Sequence, residues 1–357
     1  MTPKFHSLQI KNIRRETSDC VSVAFDVPTE LEENYQFISG QYLTLKTEIE
    51  GEEVRRSYSI CSSPTDNELR VAVKKVEGGR FSSFANELLQ IGNILEVMTP
   101  VGNFHSEMNA ANSKYYVAFA AGSGITPILS ILKTVLRTEL NSHFTLFYGN
   151  RATDSILFRE AIEGLKNEHL GRLGVHYILS KEFNNSDLFT GRISAEKSRI
   201  FLTKLIDVEE VDEFFICGPQ EMNEEIRDLL LEYKVDRKKI HVELFTTGIP
   251  KNNQAKVVTS TLIGFEAQVQ ITLDSNTFQF SLSSSGDSIL DGALKAGADL
   301  PFACKGGVCS TCRAKLTEGQ VEMDVNYALE PDELTQGYIL TCQSHPKTQR
   351  VVVDFDS

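Results

Sequence analysis

The sequence predicts a multidomain chain in three parts: an antiparallel β-barrel, an α/β domain on a parallel sheet, and a smaller α+β module at the C-terminal end. Three observations carry this expectation. Residues 5–100 run as short β-branched or alternating segments broken by turn residues. From Tyr115 onward, buried strand-like runs alternate with helical stretches, the pattern of a parallel sheet. A polar stretch, Thr246–Thr261, carries Gly and Pro but no aromatic residue, and reads as a linker before β-runs resume at Phe265. With 357 residues the chain is too long for one compact core. Domains are therefore expected at 1–108, 113–245 and 263–357, with a linker at 246–262.

In chain order, the barrel strands are expected at Phe5–Ile13, Val21–Val27, Gln41–Glu48, Arg55–Ile60 and Leu69–Val76, each with a β-branched or period-two pattern. The second part should hold strands at Tyr115–Ala120, Phe144–Tyr148, Val175–Leu179 and Glu213–Cys217. Helices should follow Thr126, start at Ser155, and run on from Cys217 through Leu231. The last part should pair Ala267–Leu273 with Thr277–Leu282 and place a helix at Ser288–Ala296.

The net charge of −13 is uneven, with residues 263–357 holding 6 Lys+Arg against 13 Asp+Glu. An acidic balance argues against nucleic acid and against anionic membranes as partners. No apolar run approaches the roughly 18 residues of a membrane span. Concentrated acidity on the C-terminal module suits either steering toward a basic partner or a solvated surface.

The C-terminal module also carries the most specific pattern in the chain. Cys304, Cys309 and Cys312 read C-x4-C-x2-C, and Cys342 follows after 29 further residues. This is the ligand spacing of a plant-type [2Fe–2S] centre. Gly306 and Gly307 in the loop let backbone N–H groups approach the cluster sulfurs. Zinc competes poorly, because structural zinc sites usually pair two short Cys-x-x-Cys-like knuckles. Nothing in Met1–Lys11 resembles a signal peptide, which points to a reducing, cytoplasmic compartment where thiolates serve metals rather than disulfides.

Further upstream, Arg56-Ser57-Tyr58-Ser59, Gly78–Ser83 and Pro100–Phe104 follow one another along the barrel. A flavin requires a cation for its diphosphate, small or hydroxylated residues at the phosphates, and an aromatic or hydroxyl against its ring. Arg56, Gly79 and Ser82 suit the diphosphate, Tyr58 the ring, and Ser59 its reactive edge. In the α/β part, Ala121-Gly122-Ser123-Gly124-Ile125-Thr126-Pro127 follows a buried strand and opens a helix, the setting in which phosphate sits at a helix N-terminus. Cys217-Gly218-Pro219 ends another strand, where a small thiol could sit beside a nicotinamide.

In this order, RSYS, GGRFS, PxGxF, AGSGITP, YGNR and CGP resemble the ferredoxin–NADP reductase superfamily, and CKGGVCSTC…C resembles a fused C-terminal ferredoxin of β-grasp fold. More narrowly, FHSL, LEVM, FICGP, NYALEPDEL and VVVDFD resemble the reductase subunits of bacterial phenylacetyl-CoA epoxidases. The resemblance implies FAD held by Arg56, Tyr58, Ser59, Val73, Lys74, Gly79 and Ser82. It implies a nicotinamide dinucleotide held by Gly122, Gly124, Thr126 and Gly218, and a flavin ring covered by Phe245. Ser59 and Cys217 are then the catalytic candidates, and Cys304, Cys309, Cys312 and Cys342 the metal ligands. Arg151, Ser180 and Lys181 end two strands where a 2′-phosphate would bind, so NADPH is expected over NADH.

The implied function is a reductase passing electrons from NADPH through FAD and [2Fe–2S] to a di-iron oxygenase partner. The seven histidines show no ligand-like spacing, which places the oxygen chemistry outside the chain. Three alternatives stand beside it: the reductase of another multicomponent oxygenase, a flavin-free electron carrier or assembly module, and a zinc-stabilised nucleotide-binding regulator.

Overall fold

The computed structural model describes residues 3–183, 186–245 and 264–357. The expected linker 246–262 lies outside the described residues. The chain divides into two compact units, one comprising residues 6–54 and 58–245, the other centred on the C-terminal module.

The first unit begins with β1 (Phe5–Thr17), β2 (Cys20–Asp26), β3 (Tyr42–Ile49), β4 (Glu52–Ser59), β5 (Leu69–Lys74), helix α1 (Arg80–Glu87) and β6 (Ile94–Met98). The strands form one sheet in the order β4-β3-β6-β1-β2-β5. It curls until Ile60, just past β4, bridges Val71 of β5. The alternating apolar residues face inward as a core of Leu8, Val23, Leu43, Val71, Phe81 and Val97. Two elements escaped the sequence reading. GGRFS is not an open loop, since Gly79 precedes α1, and Ile94–Met98 supplies a sixth strand.

The second sheet is parallel, in the order β11-β10-β7-β8-β9. Its elements are β7 (Tyr115–Ala121), α2 (Ile125–Thr138), β8 (His143–Asn150), α3 (Arg159–Glu168), β9 (Leu173–Leu179), α4 (Ala195–Lys204), β10 (Glu213–Gly218), α5 (Gln220–Glu232) and β11 (Ile240–Leu244). One core packs α2 and α3 on one side of the sheet, a second packs α4 and α5 on the other. Strand order reverses between β7 and β10, and the carboxyl ends of these strands are where ligands collect in such sheets. Helix α3 starts at Arg159 and not at Ser155. Ser155 Oγ instead accepts from the Ala152 N–H at 3.0 Å in a separate short turn, and Phe158 is left-handed at φ +57°.

Barrel and parallel sheet meet along one stripe of α2. Ser130, Lys133, Thr134 and Arg137 recur at helical spacing on one face. Ser130 Oγ donates to the Ser62 carbonyl at 2.6 Å, Thr134 shares a 2.9 Å hydrogen bond with Ser63, and Lys133 and Arg137 both pair with Asp66.

The second unit contains β12 (Glu266–Leu273), β13 (Asn276–Ser283), α6 (Ile289–Lys295), β14 (Arg313–Glu318), β15 (Val321–Met323), α7 (Pro331–Thr335), β16 (Tyr338–Leu340), β17 (Ser344–Pro346) and β18 (Arg350–Asp354). Its main sheet runs β13-β12-β18-β14-β16, with β12 and β18 parallel, and α6 buries Ile289, Leu290 and Ala293 in the module's own core. Ser288 caps α6 by accepting from the Asp291 N–H at 3.2 Å.

Candidate functional site

The carboxyl edge of the parallel sheet brings together residues far apart in sequence. Cys217 ends β10 and pairs in register with Glu243 of β11. Ser59 Oγ, at the end of β4, donates to Glu243 Oε2 at 3.1 Å, and Cys217 Sγ lies 4.0 Å from the same oxygen. Cys217 is fully buried. Burial, with the adjacent Glu243, keeps its thiol well above the ordinary value, so the sulfur stays protonated. Burial also pushes the Glu243 carboxyl up to about 8 against the opposing Ser59 hydrogen bond, so at neutral pH it is mostly an uncharged acid. Asn223 Nδ2 on α5 holds the Glu243 carbonyl at 2.9 Å and fixes the end of β11. Sequence reading named Ser59 and Cys217 but missed Glu243 and Asn223.

The glycine turn sits beside them. Gly122 is left-handed at φ +54°, and Tyr148 donates its hydroxyl to the Gly122 carbonyl at 3.0 Å. Gly124 packs so tightly on β10 that a Cβ there would lie 2.0 Å from the Cys217 carbonyl oxygen. Thr126 Oγ1 closes the first turn by donating to the Ser123 carbonyl at 3.0 Å. A Cβ on Gly218 would strike Met222 Cε at 2.5 Å. Turn and strand end thus approach as closely as backbone permits, and the Ile125 N–H at the start of α2 turns back onto the Gly122 and Ser123 carbonyls.

On the barrel, Tyr58 packs on Phe81 at 5.5 Å between ring centroids, and exposed Arg56 donates to the Arg55 carbonyl at 2.7 Å. Gly79 precedes α1, and Ser82 Oγ accepts from the Val76 N–H at 3.1 Å and donates to the Gly79 carbonyl at 3.2 Å. The Ser82 hydroxyl is therefore spent on shaping the turn that leads into α1. Val73 buries its side chain in the barrel core, and its carbonyl takes the Asn86 amide at 2.9 Å, whereas Lys74 reaches Asp19 at 3.6 Å. Phe245 is half-buried against the core under α2.

Arg151 and Lys181 are brought side by side, because the Lys181 N–H bonds the Arg151 carbonyl at 2.7 Å and the Ser180 N–H bonds that of Asn150 at 2.9 Å. All three predicted residues, Arg151, Ser180 and Lys181, are exposed. Glu182, which the sequence reading passed over, is next to them and accepts from the Thr153 N–H at 3.0 Å and hydroxyl at 2.7 Å. These hydrogen bonds hold its carboxyl below the ordinary value.

In the C-terminal module the four predicted cysteines group two and two by their strongest mutual interactions, Cys304 with Cys309 and Cys312 with Cys342. Among the described residues no three His, Cys, Asp or Glu converge on one ion position. Pairing two and two suits a binuclear cluster, in which each iron takes two thiolates. The loop also directs donors at sulfur: the Gly306 N–H reaches Cys304 Sγ at 3.2 Å and the Cys304 N–H reaches Cys309 Sγ at 3.5 Å. The Cys309 hydrogen bond and the N–H groups of Gly306, Val308 and Cys309 bring Cys304 down to about 6. Lys305 and Ser310 adopt left-handed backbone at φ +49° and +48°, as does Gly307 at +74°, which curls the chain inward. The donor set fits the cluster that the spacing predicts.

Residues 7–106 match the oxidoreductase FAD-binding domain family, residues 119–228 the oxidoreductase NAD-binding domain family, and residues 271–347 the 2Fe-2S iron-sulfur cluster binding domain family. The chain is 46% identical over 354 residues to one of the subunits of the 1,2-phenylacetyl-CoA epoxidase of Escherichia coli K12, covering 99% of this chain and 98% of the relative. It is 35% identical to the ferredoxin reductase component of 3-ketosteroid-9-alpha-monooxygenase from Mycobacterium tuberculosis, covering 98% and 95%. Among solved structures, phthalate dioxygenase reductase superposes at a TM-score of 0.60 with 22% identity, covering 98% of each chain. No helix among the described residues is long and apolar enough to cross a membrane.

Proposed function

The chain belongs to the family of oxygenase reductases that join FAD-binding, NAD-binding and [2Fe–2S] domains, and on that premise we propose that it carries electrons from NADPH to the di-iron subunit of a phenylacetyl-CoA epoxidase. It is an NAD(P)H-dependent oxidoreductase whose cofactors are FAD and a [2Fe–2S] cluster. The observation that carries the choice of partner is the 46% identity across the whole length of a component of such an epoxidase. The setting would be phenylacetate degradation in the cytoplasm.

The three domains are assigned to 1–108, 113–245 and 263–357. Arg56, Tyr58, Val73, Lys74, Gly79 and Ser82 would hold FAD, with Phe245 over the ring. Gly122, Gly124, Thr126 and Gly218 would hold the dinucleotide, and the four cysteines the cluster. A bound flavin exchanges two electrons with a nicotinamide and one at a time with an iron–sulfur centre. The chain's own task is to position both partners and to keep uncompensated charge out of the meeting point. The Cys217 thiol and the Glu243 acid, protonated through burial and joined by Ser59, supply a neutral wall there.

The test is reconstitution with the purified oxygenase components of the epoxidase, NADPH and phenylacetyl-CoA. Epoxide should form with these components and not with the oxygenase of a 3-ketosteroid monooxygenase. Reduction of cytochrome c without any epoxide would reject this partner in favour of another oxygenase.

For the nucleotide, Arg151→Ala and Lys181→Ala should raise the KM for NADPH by about ten- to a hundredfold, the loss of one charge-assisted contact, while leaving NADH nearly unchanged. Glu182 favours a second reading, since a carboxylate at this edge repels a 2′-phosphate and suits the ribose hydroxyl of NADH. Equal KM changes for both nucleotides would remove the 2′-phosphate assignment of Arg151 and Lys181.

A further inference from the structure

We propose that Gln343 tunes the [2Fe–2S] cluster by holding ligand sulfurs from both cysteine pairs in place, Cys342 directly and Cys304 through the peptide that joins Lys305 to Gly306. Gln343 directly follows the fourth cysteine and is 8% exposed. A side-chain amide buried to that degree has to satisfy its two N–H groups. Gln343 Nε2 lies 2.9 Å from the Lys305 carbonyl, 3.0 Å from the Cys342 carbonyl and 3.6 Å from Cys342 Sγ. One hydrogen is committed to Lys305, and the other is shared between the Cys342 carbonyl and its sulfur.

The contact with Lys305 reaches further than its length suggests. Lys305 C=O and Gly306 N–H are opposite ends of one planar trans peptide. The N–H end bonds Cys304 Sγ at 3.2 Å. Gripping the carbonyl end therefore aims the N–H end at sulfur, in a residue whose left-handed φ of +49° would otherwise be costly to hold. Close packing around the neighbouring residue leaves the loop little alternative: a Cβ on Gly307 would meet the Val325 carbonyl oxygen at 3.1 Å and Gln343 Cγ at 3.3 Å. Cys304 and Cys342 belong to different thiol pairs, so one amide acts on the ligands of both irons.

Hydrogen bonds to ligand sulfur favour the more negative, reduced cluster and are among the determinants of its potential. Gln343→Leu removes the donor at similar volume, and Gln343→Glu keeps the shape but replaces the donor with an acceptor. Both should lower the equilibrium constant for one-electron reduction by about tenfold, equivalent to about 59 mV toward negative potential, and both should alter the g-values of the reduced cluster. NAD(P)H oxidation with ferricyanide should stay unchanged as a control for folding. Potentials and g-values identical to wild type in both variants would overturn the proposal.

If neither variant retains its cluster, the wild-type holoprotein decides. With glutamine labelled by 15N at the side chain, pulsed EPR of the reduced cluster should show a nitrogen coupling, and its absence would overturn the proposal. The inference rests on the four thiols holding a [2Fe–2S] cluster. Iron and FAD content of the same sample separates failure of that assignment from failure of the role given to Gln343.

Discussion

In Cys342→Ser protein, cytochrome c reduction and oxygenase-coupled turnover should fall to background, while NAD(P)H oxidation with ferricyanide persists within about twofold of wild type. Serine is a poor substitute for a thiolate, and Cys342 is half of one of the two thiol pairs, so one iron would lose its hold. The control activity survives because the barrel and the parallel sheet are built on cores in which no residue of the C-terminal module takes part. Ferricyanide is small enough to take electrons from flavin directly. Full oxygenase-coupled turnover in this variant would mean that electrons leave by a route other than the cluster.

Gly124→Ala should be nearly as damaging at the opposite end of the electron path. The added methyl would lie 2.0 Å from the Cys217 carbonyl oxygen and 2.5 Å from its carbon, both backbone atoms that cannot rotate away. Either the glycine turn or the end of β10 has to shift by about 1 Å, a displacement that can cost about a hundredfold in rate. We expect kcat/KM for NAD(P)H to fall by that factor with every acceptor, while flavin absorbance and the EPR signal of the dithionite-reduced cluster persist. Overpacking of this kind costs about 1–3 kcal/mol, so the melting temperature should also drop by several degrees. Wild-type kcat/KM would show that the turn and Cys217 need not be in contact.

The 2Fe-2S domain was legible because four cysteines announce it by their spacing, and the parallel sheet because its strands read as continuous apolar runs. Glu243 was not legible. In His241-Val242-Glu243-Leu244 it occupies the polar phase of a short alternation and reads as solvent-facing, and only its contact with the Ser59 hydroxyl, 184 positions away, reveals it as half-buried and held in its neutral form. Helix α1 was hidden for a related reason. GGRFS looks like a phosphate loop, and the helix after it is only 8 residues long, too short for a periodic signal. Helix α4 has a similar length and a weakly two-sided pattern. The late start of α3 depends on the left-handed Phe158, a conformation that aromatic residues seldom adopt and that sequence does not advertise.

Helix α2 behaves as a shared axle. The glycine turn Gly122–Gly124 leads directly into it, and a stripe from Ser130 to Arg137 is keyed to the barrel at Ser62, Ser63 and Asp66. A single residue inserted between Thr126 and Ser130 would turn that key by about 100° relative to the loop. The border between barrel and parallel sheet, near residue 110, is therefore a poor seam for recombination. A nucleotide domain borrowed from a relative to change coenzyme preference would have to bring a compatible α2 stripe with it, or take the Ser62–Asp66 corner along as part of the graft.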